Sequence, residues 1–104
     1  MQKIESLSAA GFPKAVRDGV VLVEFSAPWC AQCIVQDEII DRMAQAEKFP
    51  ASARIARLCV DNAPVIAEKF MIDAIPAVVV FNDGTESCRR VGVTPESELL
   101  KILS

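Results

Sequence analysis

The chain has 104 residues and no histidine. That absence excludes Ser-His-Asp and Cys-His catalysis and removes every imidazole ligand for a metal ion. Basic clusters are also missing, since the net charge is -3 and the eleven Lys and Arg residues are scattered, with Arg89-Arg90 the densest pair. Nucleic-acid binding needs a concentrated basic surface, so we expect no nucleic-acid partner. The available chemistry rests on Cys, Asp and Glu.

Long apolar segments are lacking as well. The longest apolar run, residues 77–81, is too short to cross a bilayer, and the N-terminal segment has no apolar core of an export signal. We therefore expect a soluble cytoplasmic protein without a membrane partner. No repeat or linker interrupts the sequence, and a chain of this length with 52% hydrophobic residues suits one domain over residues 1–104. We expect that domain to be a monomer.

The first half of the chain alternates between strand and helix patterns. The segment VVLVEF, residues 20–25, is typical of a strand covered on both faces. From Cys33 onward, apolar residues recur every three or four positions and predict an amphipathic helix of about four turns. Residues 54–60 read as a strand, and Asn62 is the expected cap of a helix through about Met71. The predicted apolar face of the first of these helices is Val35, Ile39, Met43 and Ala46.

The second half predicts a hairpin and a final helix. Residues 77–81 and 87–91 flank NDGT, whose Asp-Gly pair is a strong hairpin signal. Thr94 followed by Pro95 predicts the start of the last helix. Near the N-terminus, KIESL suggests an edge strand and FPKAVRD a short helix. The order of elements predicts an α/β fold, with a mixed sheet and helices on both faces.

The motif that carries chemistry is APWCAQC, which follows the first buried strand. Unpaired amides and the dipole at a helix N-terminus stabilise an anion, so we expect the pKa of Cys30 to lie below the ~8.5 of a free cysteine. Ala31 and Gln32 would form the first helical turn and bring Cys33 within bonding reach. Cys30 could then attack a disulfide and Cys33 could resolve the mixed disulfide.

The cysteines are open to two other interpretations. Buried thiols in a core would need no chemistry, and a zinc site would need two further ligands. Cys59 and Cys88 stand alone on separate predicted strands, so we expect no metal site and no bridge between them. We interpret both as small apolar residues.

The sequence resembles the thioredoxin family over nearly its whole length. VLVEFSAPWCAQC is similar to the strand and WCxxC segment of that family, AIPAVVVFNDG to its cis-proline strand and hairpin, and RRVGVTPESELLKIL to its last strand, glycine and helix. The resemblance implies a central mixed five-stranded sheet flanked by four helices. It also implies a protein-disulfide reductase with Cys30 as nucleophile and Cys33 as resolving cysteine.

The resemblance also suggests substrate-binding residues. Trp29 matches the tryptophan that shields the sulfurs and contacts partners, and Gly92 matches a glycine that leaves room for the partner chain. Pro76 matches a cis-proline, and the backbone of Ile75 before it would bind an extended substrate. The sequence by itself is equally compatible with a trans proline at the start of a strand, so the resemblance alone favours cis.

Glu24 is the one polar residue in VVLVEF. A carboxyl buried in an apolar strand should have a raised pKa, as a general base requires; the alternative is an exposed side chain at the end of the strand. By resemblance, Glu24 matches a buried acid that takes the proton of the resolving cysteine, and Arg57 matches a lysine beside it. We expect an Arg57 pair to hold that carboxylate ionised.

The sequence departs from the family at Ala31-Gln32, where Gly-Pro is common. A non-proline residue restores a backbone donor near the thiolate, so we expect a more oxidising couple with narrower targets. The leading hypothesis is a reductase of disulfide-containing proteins that needs no cofactor besides its Cys30-Cys33 disulfide and is recharged by thioredoxin reductase or a similar donor. The alternatives are a non-catalytic interaction module and a specialised disulfide oxidant or isomerase.

Overall fold

A computed structural model describes all 104 residues, and its centre is a five-stranded sheet. The strands are β1 (Ile4–Leu7), β2 (Val20–Ser26), β3 (Ala53–Cys59), β4 (Ala77–Asn82) and β5 (Thr85–Val91). Their spatial order is β1-β3-β2-β4-β5. β1, β3 and β2 run parallel, whereas β4 is antiparallel to both β2 and β5. The predicted mixed sheet is confirmed, including β1 as an edge strand.

Four helices cover the two faces of the sheet. They are α1 (Phe12–Val16), α2 (Ala31–Gln45), α3 (Pro64–Lys69) and α4 (Glu96–Ile102). One core cluster contains residues of α1 and α3, and the other contains residues of α2 and α4. β2 contributes to both clusters, because alternate residues of a strand point to opposite faces. None of the helices is both long and apolar enough to cross a membrane.

The hairpin between β4 and β5 follows its sequence signal. Asp83 and Gly84 both have positive φ, 49° and 85°, as the two central residues of a type I′ turn require. The strands extend closer to the turn than predicted, to Asn82 on one side and from Thr85 on the other. The predicted antiparallel pairing is confirmed.

The predicted helix caps were wrong. α3 begins at Pro64 with Ala63 at the cap position, and it ends at Lys69. Proline is favoured as the first helical residue, so the cap lies one residue after Asn62. Pro95, not Thr94, caps α4.

The predicted apolar face of α2 was correct at Met43, which is buried, and at Ile39, which is half-buried, but it was wrong at Val35 and Ala46. Val35 is 45% exposed and Ala46 is also exposed, whereas the buried residues are Cys33, Gln36, Ile40, Met43 and Ala44. Cys33 points into the protein, so the positions three, four and seven residues later also face inward. The burial of Gln36 was not predicted from the sequence, because a glutamine gives no apolar signal.

Candidate active site

The two cysteines of the WCAQC motif lie where β2 leads into α2. Cys30 is the N-cap of the helix, in an extended conformation, and α2 begins at Ala31. Cys30 and Cys33 are joined by a disulfide bond, with Cα atoms 5.2 Å apart. The prediction that one helical turn brings the two thiols within bonding reach is therefore confirmed.

The N-terminus of α2 interacts directly with the first sulfur. The backbone N–H of Cys33 donates to Cys30 Sγ at 3.2 Å, so the sulfur satisfies one of the unpaired amides of the first turn. The amide of Gln32 makes no hydrogen bond to that sulfur. Cys30 is 7% exposed and Cys33 1%, so Cys30 is the sulfur nearer to solvent. Ala31 and Gln32 are exposed between them.

The segment before β4 lies against the disulfide. The Ile75–Pro76 peptide bond is cis, as expected, and the carbonyl oxygen of Ile75 is 3.8 Å from Cys30 Sγ. The N–H of Gly92 donates to the carbonyl of Pro76 at 2.8 Å. Gly92 has φ 88°, and a side chain there would meet no atom within 4 Å. The structure thus brings Ile75, Pro76 and Gly92 together beside the cysteines, with open space in front of the glycine.

Apolar side chains around the disulfide are exposed. Trp29 is 70% exposed, and its indole N–H donates to Asp61 Oδ2 at 2.9 Å. Ile34 is 54% exposed, as its position off the predicted apolar face indicated. Asp61 was not identified from the sequence, because an aspartate in a loop gives no signal for its distant partner. Its hydrogen bond restricts the orientation of the tryptophan ring.

Glu24 is fully buried in the middle of the sheet, so the alternative of an exposed strand end is excluded. Arg57, its register partner on β3, donates from Nε to Glu24 Oε1 at 2.7 Å. Burial, aided by a hydrogen bond with Asp37, raises the pKa of Glu24 to about 8 despite the opposing effect of Arg57. The prediction of a raised pKa is confirmed, and the expectation that Arg57 holds the carboxylate ionised was wrong because desolvation outweighs the ion pair.

Arg57 contacts two further carboxylates, both on α2. Its Nε is 3.3 Å from Asp37 Oδ1 and its Nη2 is 3.3 Å from Asp41 Oδ1. Cys33, Asp37 and Asp41 are spaced four residues apart and lie on one side of the helix. Asp37 and Asp41 were not identified from the sequence as partners of Arg57. The signal that identifies them is their spacing from the inward-facing Cys33.

A buried polar pair joins α2 to the start of α4. Gln36 Nε2 donates to the carbonyl of Thr94 at 3.0 Å, and the N–H of Thr94 donates to Gln36 Oε1 at 2.6 Å. Both residues are buried. These two hydrogen bonds hold the chain just after Gly92 against α2, so they position the loop that lies beside the active site.

Cys59 and Cys88 are free thiols on β3 and β5. β2 and β4 lie between these strands, which confirms that they form no bridge. No group of three or more Cys, Asp or Glu side chains is arranged to hold a metal ion.

Comparison with known proteins gives a consistent result. The thioredoxin family model matches residues 3–104. A thioredoxin of Chlamydia muridarum is 31% identical over 101 residues, which span 97% of this chain and 96% of that protein. A Staphylococcus aureus thioredoxin is 33% identical over 100 residues, or 96% and 94% of the two chains. A solved mutant thioredoxin from Halobacterium salinarum NRC-1 has a TM-score of 0.84 at 22% identity and covers 97% of this chain and 88% of that one, so the two share the thioredoxin fold.

Proposed function

Since this chain belongs to the thioredoxin family and is a thiol-disulfide oxidoreductase that reduces disulfides, we propose that Cys30 and Cys33 carry the reaction on disulfide-bonded proteins in the cytoplasm. The electrons would come from a thioredoxin reductase or a similar dithiol donor. No bound cofactor is needed, because the reduced Cys30–Cys33 dithiol itself carries the two electrons that are transferred. This couple would serve in electron transport and redox balance of the cell.

Cys30 is the attacking residue in this proposal. Its Sγ is the more exposed sulfur and accepts the Cys33 amide at the start of the 15-residue helix α2. The helix N-terminus stabilises the thiolate over the thiol. The thiolate attacks one sulfur of the substrate disulfide, a mixed disulfide forms, and the other substrate sulfur leaves as a thiolate.

Cys33 completes the exchange. Its thiol is 1% exposed, so its proton needs an acceptor inside the protein. Glu24 is the buried carboxyl on the same face of the sheet, and a pKa of about 8 suits proton exchange with a thiol near neutral pH. The Cys33 thiolate then attacks Cys30 Sγ, the internal disulfide forms, and the substrate leaves as a thiolate that is protonated by water.

Substrate recognition is assigned to the surface around the cysteines. Trp29 supplies an exposed ring beside the disulfide, and the backbone of Ile75 next to cis Pro76 can pair with an extended chain. The open space at Gly92 allows that chain to approach. Ala31, Gln32 and Arg57 would tune the couple. Ala31 and Gln32 are exposed residues at the start of the helix, and Arg57 opposes the rise in the pKa of Glu24 that burial causes.

The observation that carries this proposal is the hydrogen bond from the Cys33 amide to Cys30 Sγ at 3.2 Å. We expect Cys30→Ser to reduce insulin no faster than the small dithiol used to recharge it. Cys33→Ser should instead accumulate a mixed disulfide with the substrate, because attack is retained and resolution is lost. Cys88→Ser, on β5, is the matched control and should keep full activity. Disulfide reduction by the Cys30→Ser protein above the dithiol background would refute this assignment and favour a docking role.

A further inference from the structure

The carboxyls of Glu24 and Asp37 form a pair that the known chemistry of the cysteines does not require. Glu24 Oε2 and Asp37 Oδ1 are both buried, and neither accepts a hydrogen bond from any donor of the protein. The Nε hydrogen of Arg57 is directed at the other oxygen of Glu24, Oε1, at 2.7 Å. Two buried carboxyl oxygens without a donor are costly. Arg57 Nε lies 2.7 Å from Glu24 Oε1 and 3.3 Å from Asp37 Oδ1, which brings the two carboxyls together. A single proton between Oε2 and Oδ1 would satisfy both oxygens.

The charges around the pair favour retention of that proton. Glu24, Asp37 and Asp41 surround the one guanidinium of Arg57, so three ionised carboxylates would exceed its charge by two. On the other side of Glu24, its register partner on β4 is the apolar Val78. Arg90 of β5, which lies on the same face of the sheet, is engaged by Glu98 of α4 at 2.9 Å. Arg57 is the only cation within ion-pair distance of these three carboxyls, and the excess of negative charge favours retention of a proton by the fully buried one, Glu24.

Asp37 differs from Glu24 in its access to solvent. Its side chain is 35% exposed, whereas that of Glu24 is 0% exposed. Asp37 and Arg57 line an open cleft of about 290 Å³ that Glu24 does not reach. Asp37 also lies one helical turn after Cys33, a spacing that places the two Cβ atoms about 5–6 Å apart. Asp37 therefore lies between a buried acid, a buried thiol and the solvent.

We propose that Glu24 and Asp37 share one proton between Oε2 and Oδ1, and that Asp37 passes the proton released by Cys33 to the solvent cleft. This inference rests on the proposed role of Glu24. As Cys33 gives its proton to the Glu24 carboxyl, the proton on Oε2 moves to Asp37 Oδ1, and Asp37 then releases it to water. The thiol loses one proton, the solvent gains one, and Glu24 ends in its starting state.

The relay explains how a mostly protonated acid can act as a base. With a pKa of about 8, Glu24 holds a proton at neutral pH, and an isolated protonated carboxyl cannot accept another. The carboxylate of Asp37 can remove the proton that Glu24 already holds. Glu24 can then accept the proton of Cys33 in the same step. Asp37 thus acts through Glu24 and positions a proton for it, without touching the sulfurs.

The test measures the carboxyl titration and the chemical step separately. Side-chain ¹³C signals of Glu24 are followed by NMR between about pH 4 and pH 10 in the oxidised protein, where Cys30 and Cys33 do not titrate. Because Asp37 raises the pKa of Glu24, we expect Asp37→Asn to lower the Glu24 midpoint by about one pH unit or more, as expected for coupled carboxyls. Asp37→Glu should largely restore the midpoint. Asp41→Asn is the matched control: it removes a carboxylate from the same guanidinium, but Asp41 does not contact Glu24, so we expect a clearly smaller shift of the Glu24 midpoint.

The rate at which Cys33 resolves a preformed mixed disulfide is measured over the same pH range. We expect the midpoint of this rate to shift with the Glu24 midpoint in Asp37→Asn and to shift clearly less in Asp41→Asn. An unchanged Glu24 midpoint in Asp37→Asn would overturn the shared proton. A Glu24 midpoint that moves while the resolution profile does not would instead show that Glu24 is not the acceptor, and would overturn the relay together with that part of the proposed function.

Discussion

Burial of Glu24 makes the stability of this protein depend on pH in a direction that can be worked out from the structure. Burial raises the pKa of Glu24 from the ordinary value of 4.5 to about 8 in the folded state, whereas the unfolded chain retains the ordinary value. The contribution of the neutral carboxyl to the stability of the folded state is therefore fully present below pH 4.5. That contribution is lost as pH rises towards 8, because the unfolded state ionises and the folded state does not.

The size of the effect follows from the two values. Each pH unit between the two pKa values corresponds to about 1.4 kcal/mol, so the free energy of unfolding falls by roughly 3 kcal/mol at pH 7 and by about 5 kcal/mol above pH 8. Glutamine has nearly the same shape and never ionises. We therefore expect the free energy of unfolding of Glu24→Gln, relative to that of the unmodified protein, to increase by about 5 kcal/mol between pH 4 and pH 9. Arg57 keeps Asp37 and Asp41 as partners in the variant.

Urea denaturation of the oxidised proteins at several pH values measures this difference. Titrations of groups that are not coupled to Glu24 are common to both proteins and cancel. Glu38→Gln is the control, because Glu38 is an exposed glutamate of α2 with only a surface pair to Arg42 at 3.7 Å. We expect its effect on the free energy of unfolding to stay within about 0.5 kcal/mol at every pH. Parallel stability curves for Glu24→Gln and the unmodified protein would refute the argument that burial controls this carboxyl.

Two further predictions concern the loop beside the active site. Replacing Gln36 by Ala removes both hydrogen-bond partners of the buried Thr94 backbone, and we expect urea denaturation to show a free energy of unfolding lower by about 2–4 kcal/mol. A decrease below about 1 kcal/mol would mean that the pair is not needed. Gly92→Ala places a Cβ at φ 88°, where there is space but the backbone is unfavourable, so we expect a cost of about 1–2 kcal/mol. Insulin reduction by Gly92→Ala should also slow, since the added methyl group narrows the approach to Pro76, and unchanged kinetics would remove Gly92 from the docking surface.

The sequence signals that predicted the structure correctly are local. The apolar segment VVLVEF predicted β2, Asp83-Gly84 predicted the hairpin turn, and Cys30-x-x-Cys33 after a strand predicted the junction with α2. Each depends on backbone conformation or on burial of a short segment. The identification of Glu24 belongs with them, because a single carboxyl within an apolar strand is conspicuous without any knowledge of its neighbours.

The predictions that failed depend on contacts between distant segments. Thr94 has the side chain of a good cap, but its backbone is bound by Gln36, 58 residues earlier in the chain, and Pro95 takes the cap position. The charge state of Glu24 depended on the balance between burial and Arg57, which only the packed structure determines. Residue type alone gives the sign of each effect and not their relative size.

The orientation of Cys33 is what connects the redox chemistry to these polar contacts. A resolving thiol must point inward to reach Cys30 Sγ, and that requirement fixes the rotation of α2 about its axis. Positions three and four residues later then also face the sheet, and they are Gln36 and Asp37. Each polar side chain so directed needs a partner in the interior, which Gln36 finds in Thr94 and Asp37 in Arg57 and Glu24. A helix rotation imposed by a disulfide therefore brings Asp37 to the carboxyl with which we infer that it shares a proton.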